Sequence, residues 1–277
     1  MAVSWSFLEI LDRHGLLGRG RALLDIGTSN LYGADSASVT KLFREHGGAM
    51  TKERESFVEK LVEGSINTDG QNALNQSWLG QAIEAIGMEY DSLDIAIGYK
   101  TRVVDLNRET LPANMAARFD LVVQSGTTEQ ILNQYNAFRA SQDATKPGGH
   151  IVHPVPATGP TDHGYYCDTS RFFLDLAGSN RYDVIDFWID GPDGHDNMYA
   201  GPRSYAEVFP ALKSLLAGIQ PDSRSHSLDQ MQIPNNSINV ILKKMEDSPF
   251  VGMMEMSTSW GAEGARDVGR GVLHRYV

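Results

Sequence analysis

Cysteine is nearly absent from this chain. The single one, Cys167, excludes an intramolecular disulfide and a Cys-rich zinc site, and its plain reading is a small, partly buried residue. No histidine pair falls at H-x-x-x-H spacing and no acidic triplet stands out, so no metal is expected. Clustered basic charge is lacking too. The 24 Lys and Arg residues are scattered among 35 Asp and Glu, for a net charge of −11. Nucleic acid as a partner is therefore not expected, because phosphate binding needs grouped cations. Nor does any apolar run approach the roughly 20 residues that span a bilayer. Near the start, Trp5, Phe7, Leu8, Ile10 and Leu11 are interrupted by Glu9 and Asp12 with no basic stretch ahead of them, unlike a signal peptide. A cytoplasmic, soluble protein with no membrane partner is expected.

What the chain has is a series of apolar runs that end in polar residues. Leu23-Leu24-Asp25-Ile26 runs into Gly27-Thr28-Ser29-Asn30, as a buried strand does before a tight, ligand-facing turn. Similar ends occur at Leu93-Asp94, Val104-Asp105 and Val123-Gln124. Further strands are expected at 150–153, 184–189 and 238–242. Helices are expected at 4–14, 39–46, 53–63, 76–87, 130–141, 172–177 and 206–216, from apolar positions three and four apart. Lys146-Pro147-Gly148-Gly149 reads as a turn before the fifth strand. About 65 residues separate the first two strands, too many for a structureless connection. That spacing predicts a crossover helix plus a helical insertion at 32–78, placed to cover the site or to decorate the surface. A variable, substrate-side segment is expected at 190–236. The whole, 1–277, reads as one α/β domain: a Rossmann-like, mostly parallel seven-stranded sheet with helices on both faces.

Five stretches carry a resemblance: Asp25-Ile26-Gly27, Asp94, Asp105-Leu106-Asn107, Phe119-Asp120-Leu121-Val122-Val123 and Lys146-Pro147-Gly148-Gly149-His150-Ile151-Val152. In this order the chain resembles the class I S-adenosylmethionine-dependent methyltransferases, over roughly residues 20–190 and a later strand near 237–244. Where that family usually has a second loop glycine, this chain has Ser29. The resemblance implies a seven-stranded sheet with one antiparallel strand near its end, and S-adenosylmethionine as cofactor. It implies that Asp25, Gly27, Thr28 and Ser29 surround the methionine end, with Asp25 acting directly or by holding the loop. It places Asp94 on the ribose hydroxyls with Ile95 beside it, and Asp105 and Leu106 by the adenine. Gln124, Ser125 and Gly126 would touch the donor or the acceptor. The plainer alternatives are an exposed turn aspartate at 94 and a turn cap at 105.

Three residues are candidates for chemistry. His163 sits past the fifth strand in Asp162-His163-Gly164-Tyr165-Tyr166 and could act as a general base, a task suited to imidazole as a group, or else tie its loop. Tyr165 could face a sulfonium, or fill core. Glu129 could orient an amine or act as a base, or be a helix N-terminal acid. His153 also points to the crevice in this reading. The expected function is methyl transfer from S-adenosylmethionine to a small-molecule acceptor. Two rivals stay open. One is a non-methylating reaction of the same cofactor, such as cyclisation to azetidine-2-carboxylate with release of methylthioadenosine. The other is a non-catalytic cofactor-binding protein. The sequence says nothing of oligomeric state.

Overall fold

Strand alternation decides which helices cover which face. In the computed structural model, which describes residues 2–65, 76–158, 163–190 and 236–252, five strands run parallel in the order β5 (Thr101–Val103), β4 (Glu89–Asp94), β2 (Ala22–Ile26), β6 (Phe119–Val123) and β7 (Thr145–Thr158). β9 (Asn236–Lys243) follows antiparallel to β7, and β8 (Asp183–Asp190) closes the edge antiparallel to β9. Leu23, Leu121, Val123, Val152 and Ile241 pack on one face, with helices α1 (Trp5–Arg13), α2 (Ser36–Leu42), α3 (Lys52–Ser65) and α4 (Leu79–Ala85). Their neighbours Leu24, Val122, Ile151, Val240 and Leu242 pack on the other, toward α5 (Gln134–Ala144) and α6 (Ser170–Asn180). Successive residues of a strand point to opposite faces, so these apolar runs bury both sides, as a sheet sandwiched by helices requires. The fold is Rossmann-like, mostly parallel, with one antiparallel strand next to the edge.

The helices begin where side chains can cap them. Ser4 Oγ accepts from Phe7 N–H at 3.2 Å at the start of α1, and the Asp35 carboxylate accepts from Ala37 and Ser38 N–H at the start of α2. Asn133 and Thr169 do the same for α5 and α6. Each cap satisfies amides that have no partner within the helix.

The long connection from β2 to β4 has a closed stem. Ser29 O accepts from Leu79 N–H at 3.0 Å, so the chain re-enters at α4 beside the point where it left β2. Between these points, β3 (Asn30–Tyr32) pairs in parallel with an N-terminal strand, β1 (Ala2–Ser4), and Asn30 bridges to Trp78. Neither short strand follows from the sequence pattern, because each runs for only three residues. Val39, Leu42, Phe43, Val58 and Leu61 of this connection share one core with Leu8, Leu11, Leu79 and Ile83. The expected turn at Lys146–Gly149 lies inside β7. Gly148, at φ +80°, donates its N–H to Lys244 O at 2.7 Å, and the pairing to β6 shifts register there. Among the described residues, no helix is long and apolar enough to cross a membrane. The segment 190–236, apart from the ends of β8 and β9, and the helix expected at 206–216 lie outside the described residues.

Candidate functional site

The order of strands reverses between the parallel neighbours β2 and β6, and the loops at their carboxyl ends bound the crevice where open α/β sheets bind ligands. Hydrogen bonds tie these ends together. Gly27, at φ +118°, donates its N–H to Leu93 O at 2.7 Å. Thr127 Oγ1 donates to Ile26 O at 2.7 Å. Val104 N–H donates to Asp94 O at 2.9 Å. Gly27, Asp94, Asp105 and the 124–129 loop therefore share one rim.

Asp25 is fully buried, and every bond of its carboxylate is internal. Ser29 N–H donates to Oδ2 at 2.5 Å, Ser29 Oγ to Oδ1 at 3.0 Å, and Tyr90 Oη to Oδ2 at 2.9 Å. Burial pushes this carboxyl upward, and the Ser29 and Tyr90 bonds oppose that push. The geometry is that of a loop brace. Thr28 sits at φ +37°, a left-handed value that a threonine adopts only when its surroundings hold it. The hold is visible: Thr28 Oγ1 lies 3.0 Å from Ser92 Oγ and 3.0 Å from Thr101 Oγ1, and the side chain packs on Gly98. Ser29 is buried as well. Of this loop, the side chains are committed inward.

Asp94 is half-buried at the tip of β4. Its Oδ1 accepts from Ala96 N–H at 2.9 Å, while Oδ2 has no partner among the described residues. Ile95 and Ile97 beside it stand 70% and 89% exposed, an apolar surface next to a carboxylate. Asp105 takes the turn-cap arrangement: Oδ1 accepts from Asn107 N–H at 2.9 Å and Oδ2 lies 3.6 Å from Arg108 Nε. Leu106 is buried, and its carbonyl accepts from Asn136 Nδ2 at 2.7 Å.

The 124–129 loop divides. The Gln124 side chain does not reach the rim. It is fully buried and donates from Nε2 to Ala137 O of α5 at 3.1 Å, which corrects the expected contact with donor or acceptor. The reason is alternation: Gln124 shares the face of Val122, two residues earlier. Ser125 Oγ donates to Ala2 O of β1 at 3.2 Å, so the N-terminal strand lies against this loop. Gly126 turns at φ +61° and donates its N–H to Pro154 O. His153 is also corrected. It is buried between Phe138 and Phe173, at ring separations of 5.1 and 5.6 Å, and burial pushes its pKa down to about 3. It is a neutral core ring.

Glu129 lies in a short 3-10 turn, Thr128–Gln130, ahead of α5, so it is not the solvated helix N-terminal acid of the plainer reading. Its side chain is fully enclosed, and His163 Nε2 lies 3.2 Å from Oε1. Tyr165 and Tyr166 N–H both donate to Glu129 O, at 2.7 and 3.3 Å. A Cβ on Gly164 would stand 2.8 Å from Glu129 Cγ, so the 163–166 loop lies directly on this residue. His163 itself is half-exposed. Tyr165 is 73% exposed, so it does not fill core. Asp162 lies outside the described residues. Two neighbours escaped the sequence reading. Asp168 is buried, with its pKa pushed up to about 7 by burial and then by the Glu129 charge. Ile97 continues the exposed apolar surface of Ile95. An exposed I-A-I run at a strand tip was the available signal for Ile97; nothing in the sequence marks Asp168. Among the described residues, no group of three or more His, Cys, Asp or Glu side chains is arranged to hold a metal ion.

No family model and no curated protein matches the chain. Among solved structures it is similar to a provisionally assigned methyltransferase from Bacillus halodurans, at 11% identity and TM-score 0.46, covering 86% of this chain and 98% of that one. It is similar to phosphoethanolamine N-methyltransferase 2 from Haemonchus contortus, solved with phosphomonomethylethanolamine and S-adenosylhomocysteine, at 13% identity and TM-score 0.42, covering 87% of this chain and 52% of that one. It is also similar to geranyl diphosphate C-methyltransferase from Streptomyces coelicolor A3(2), solved with Mg2+, geranyl diphosphate and S-adenosylhomocysteine, at 11% identity and TM-score 0.40, covering 86% of this chain and 77% of that one.

Proposed function

We propose that this protein binds S-adenosylmethionine across the joined strand tips and transfers its methyl group to a small-molecule acceptor. The observation that carries the reading is the shared rim. Gly27, Asp94 Oδ2, which has no partner among the described residues, and the Glu129–His163 pair stand at the ends of adjacent strands, in a sheet whose order reverses there. The fit is chemical. Asp94 offers a carboxylate oxygen for ribose hydroxyls, with Ile95 and Ile97 as an apolar bed for a base. Gly27 gives the backbone a close approach, while Asp25 and Thr28 hold the loop from behind. Asp105 is placed to meet the base only by giving up part of its turn cap. Leu106 supports it from beneath, and Ser125 and Gly126 contribute backbone.

When bound, the cofactor supplies an activated methyl group. The protein's own task is then to align the acceptor, exclude water and take up one proton if the acceptor arrives protonated. His163 and Glu129 are the groups for that proton, and half-exposed His163 connects it to solvent. Tyr165 lies on the acceptor side.

Two measurements test this. Calorimetry with S-adenosylmethionine should show binding, and Asp94→Ala should weaken it by about 10- to 100-fold, or about 1.5–3 kcal/mol. Unchanged affinity in a folded Asp94→Ala protein removes the ribose assignment. Product analysis on turnover should find S-adenosylhomocysteine. Methylthioadenosine in its place would move the protein to cyclisation chemistry, and binding without any turnover would make it a cofactor-binding protein.

A further inference from the structure

Glu129 and Asp168 are buried acids whose oxygens are left over after the protein has made its own bonds. The loop around them is otherwise well satisfied: Tyr165 N–H and Tyr166 N–H meet Glu129 O, and Asp168 N–H donates to Pro156 O at 2.9 Å. The carboxylates are not. Among the described residues, neither oxygen of Glu129, whose side chain is fully enclosed, has an aligned hydrogen-bond donor, and neither does Oδ2 of Asp168, which is 8% exposed. The His163 ring stands beside the Glu129 carboxylate, at 3.2 Å from Oε1. Enclosing a carboxylate without donors costs several kcal/mol and stabilises nothing in return. A packing role would be met better by an apolar residue.

The missing partner can be specified by what the oxygens need. They need several N–H or O–H donors and a positive charge in a small volume. A hydroxyl brings one donor and no charge. A metal ion would need more ligands than these residues bring together. An ammonium brings three donors and a full charge. His163 lies against Glu129 and is half-exposed, so its ring is the part that can give way. We infer that Glu129 and Asp168 seat the protonated amino group of the acceptor, which takes the place of the His163 ring against Glu129.

This rests on the methyl-transfer reading and names the nucleophile in it. Seated ammonium gives one proton to the Glu129 carboxylate: an N–H bond breaks and an O–H bond forms. The freed lone pair on nitrogen forms the new N–C bond to the methyl carbon, and the electrons of the breaking S–C bond stay on sulfur. The product is an N-methylated ammonium, which carries the positive charge the sulfonium has lost. Once the product has left and the His163 ring has returned against Glu129, the proton passes through that ring to solvent. Asp168 holds the ammonium from its other side and is a positioning residue.

The test uses the full chain without cofactor, with n-butylammonium as probe and n-butanol as its neutral counterpart. Carboxyl 13C NMR, assigned with Glu129→Gln and Asp168→Asn, follows the two acids as pH is varied. Butylammonium should lower the Asp168 midpoint by about one pH unit or more, and its affinity should fall about tenfold or more in each folded variant. Butanol should do neither. Equal binding of amine and alcohol, an unmoved Asp168 midpoint, or full affinity in both variants overturns the inference. If Glu129→Gln does not fold, Asp168→Asn decides alone. Binding of S-adenosylmethionine, measured separately, keeps the two readings apart. Cofactor binding without amine binding removes the amine seat and leaves methyl transfer, and amine binding without cofactor binding does the reverse.

Discussion

Two buried acids stand past or within neighbouring strands, and they are used in opposite ways. Asp25, in β2, collects donors from Ser29 N–H, Ser29 Oγ and Tyr90 Oη. Glu129, six residues past the end of β6, is equally enclosed and, among the described residues, has no aligned donor at either oxygen. Burial raises both carboxyls above the usual range, so the cost of enclosure is shared. What differs is the return. Asp25 converts its cost into a fixed loop under Gly27, whereas Glu129 holds an unspent acceptor beside a half-exposed histidine. An acid with all its bonds made inside braces the fold, and a buried acid beside a half-exposed histidine keeps acceptor capacity for a partner from outside.

The contrast breaks most sharply on stability. Asp25→Ala strands the Ser29 amide, the Ser29 hydroxyl and the Tyr90 hydroxyl, and should cost about 3–5 kcal/mol in chemical denaturation. Glu129→Gln removes a buried charge whose ionisable neighbour at contact distance is the half-exposed His163, and should change stability by less than about 1 kcal/mol or raise it. Equal losses for the two would mean that Glu129 is a structural acid like Asp25.

Alternation explains how much of this could be read beforehand. The strands were legible because Leu23, Leu24 and Ile26, or Leu121, Val122 and Val123, are apolar on both faces, as a covered parallel sheet requires. The same period assigns Gln124 to the α5 face with Val122, and His153 to the face of Ile151, so both were decided by parity before any site argument applied. The glycine turn at Gly27 and the acid at Asp94 were legible as strand tips. Asp168 was not, since its burial comes from a loop folding back over Glu129, with Gly164 pressed against that residue. The bond from Leu79 N–H to Ser29 O was hidden too, because a single contact across a long connection has no sequence pattern.

A pH titration of stability sharpens the comparison at intermediate size. Asp168 has a folded pKa of about 7, raised by burial and then by the Glu129 charge, against an ordinary value of 3.8. A raised carboxyl pKa means that the folded protein binds a proton the unfolded chain has released. Stability from this group is therefore full below about pH 4, declines as pH rises toward 7 and is level above that, by about 2–4 kcal/mol in total. Asp168→Asn should lack that decline, so the difference in unfolding free energy between the two proteins should vary over this window. A difference that stays constant from pH 4 to 7 would show that Asp168 is not desolvated in solution.

The smallest effect concerns the tie between the two loops being compared. Thr127 Oγ1, nearly buried, donates to Ile26 O at 2.7 Å and joins the Asp25–Ser29 side to the Glu129 side. Thr127→Val keeps the shape and leaves that carbonyl without its donor, which should cost about 1 kcal/mol, whereas Thr127→Ser keeps the hydroxyl and should cost less. If the tie transmits position as well as stability, Thr127→Val should also weaken S-adenosylmethionine binding while leaving butylammonium binding at the Glu129–Asp168 pair unchanged. The reason is geometric. The donor spans both loops under the proposed reading, whereas the amine meets only one. A valine variant that loses stability but binds both probes as before would confine Thr127 to the fold. One that loses amine binding would show that the 127–129 turn moves as a unit, with Glu129 positioned through Ile26 and not through its own loop alone.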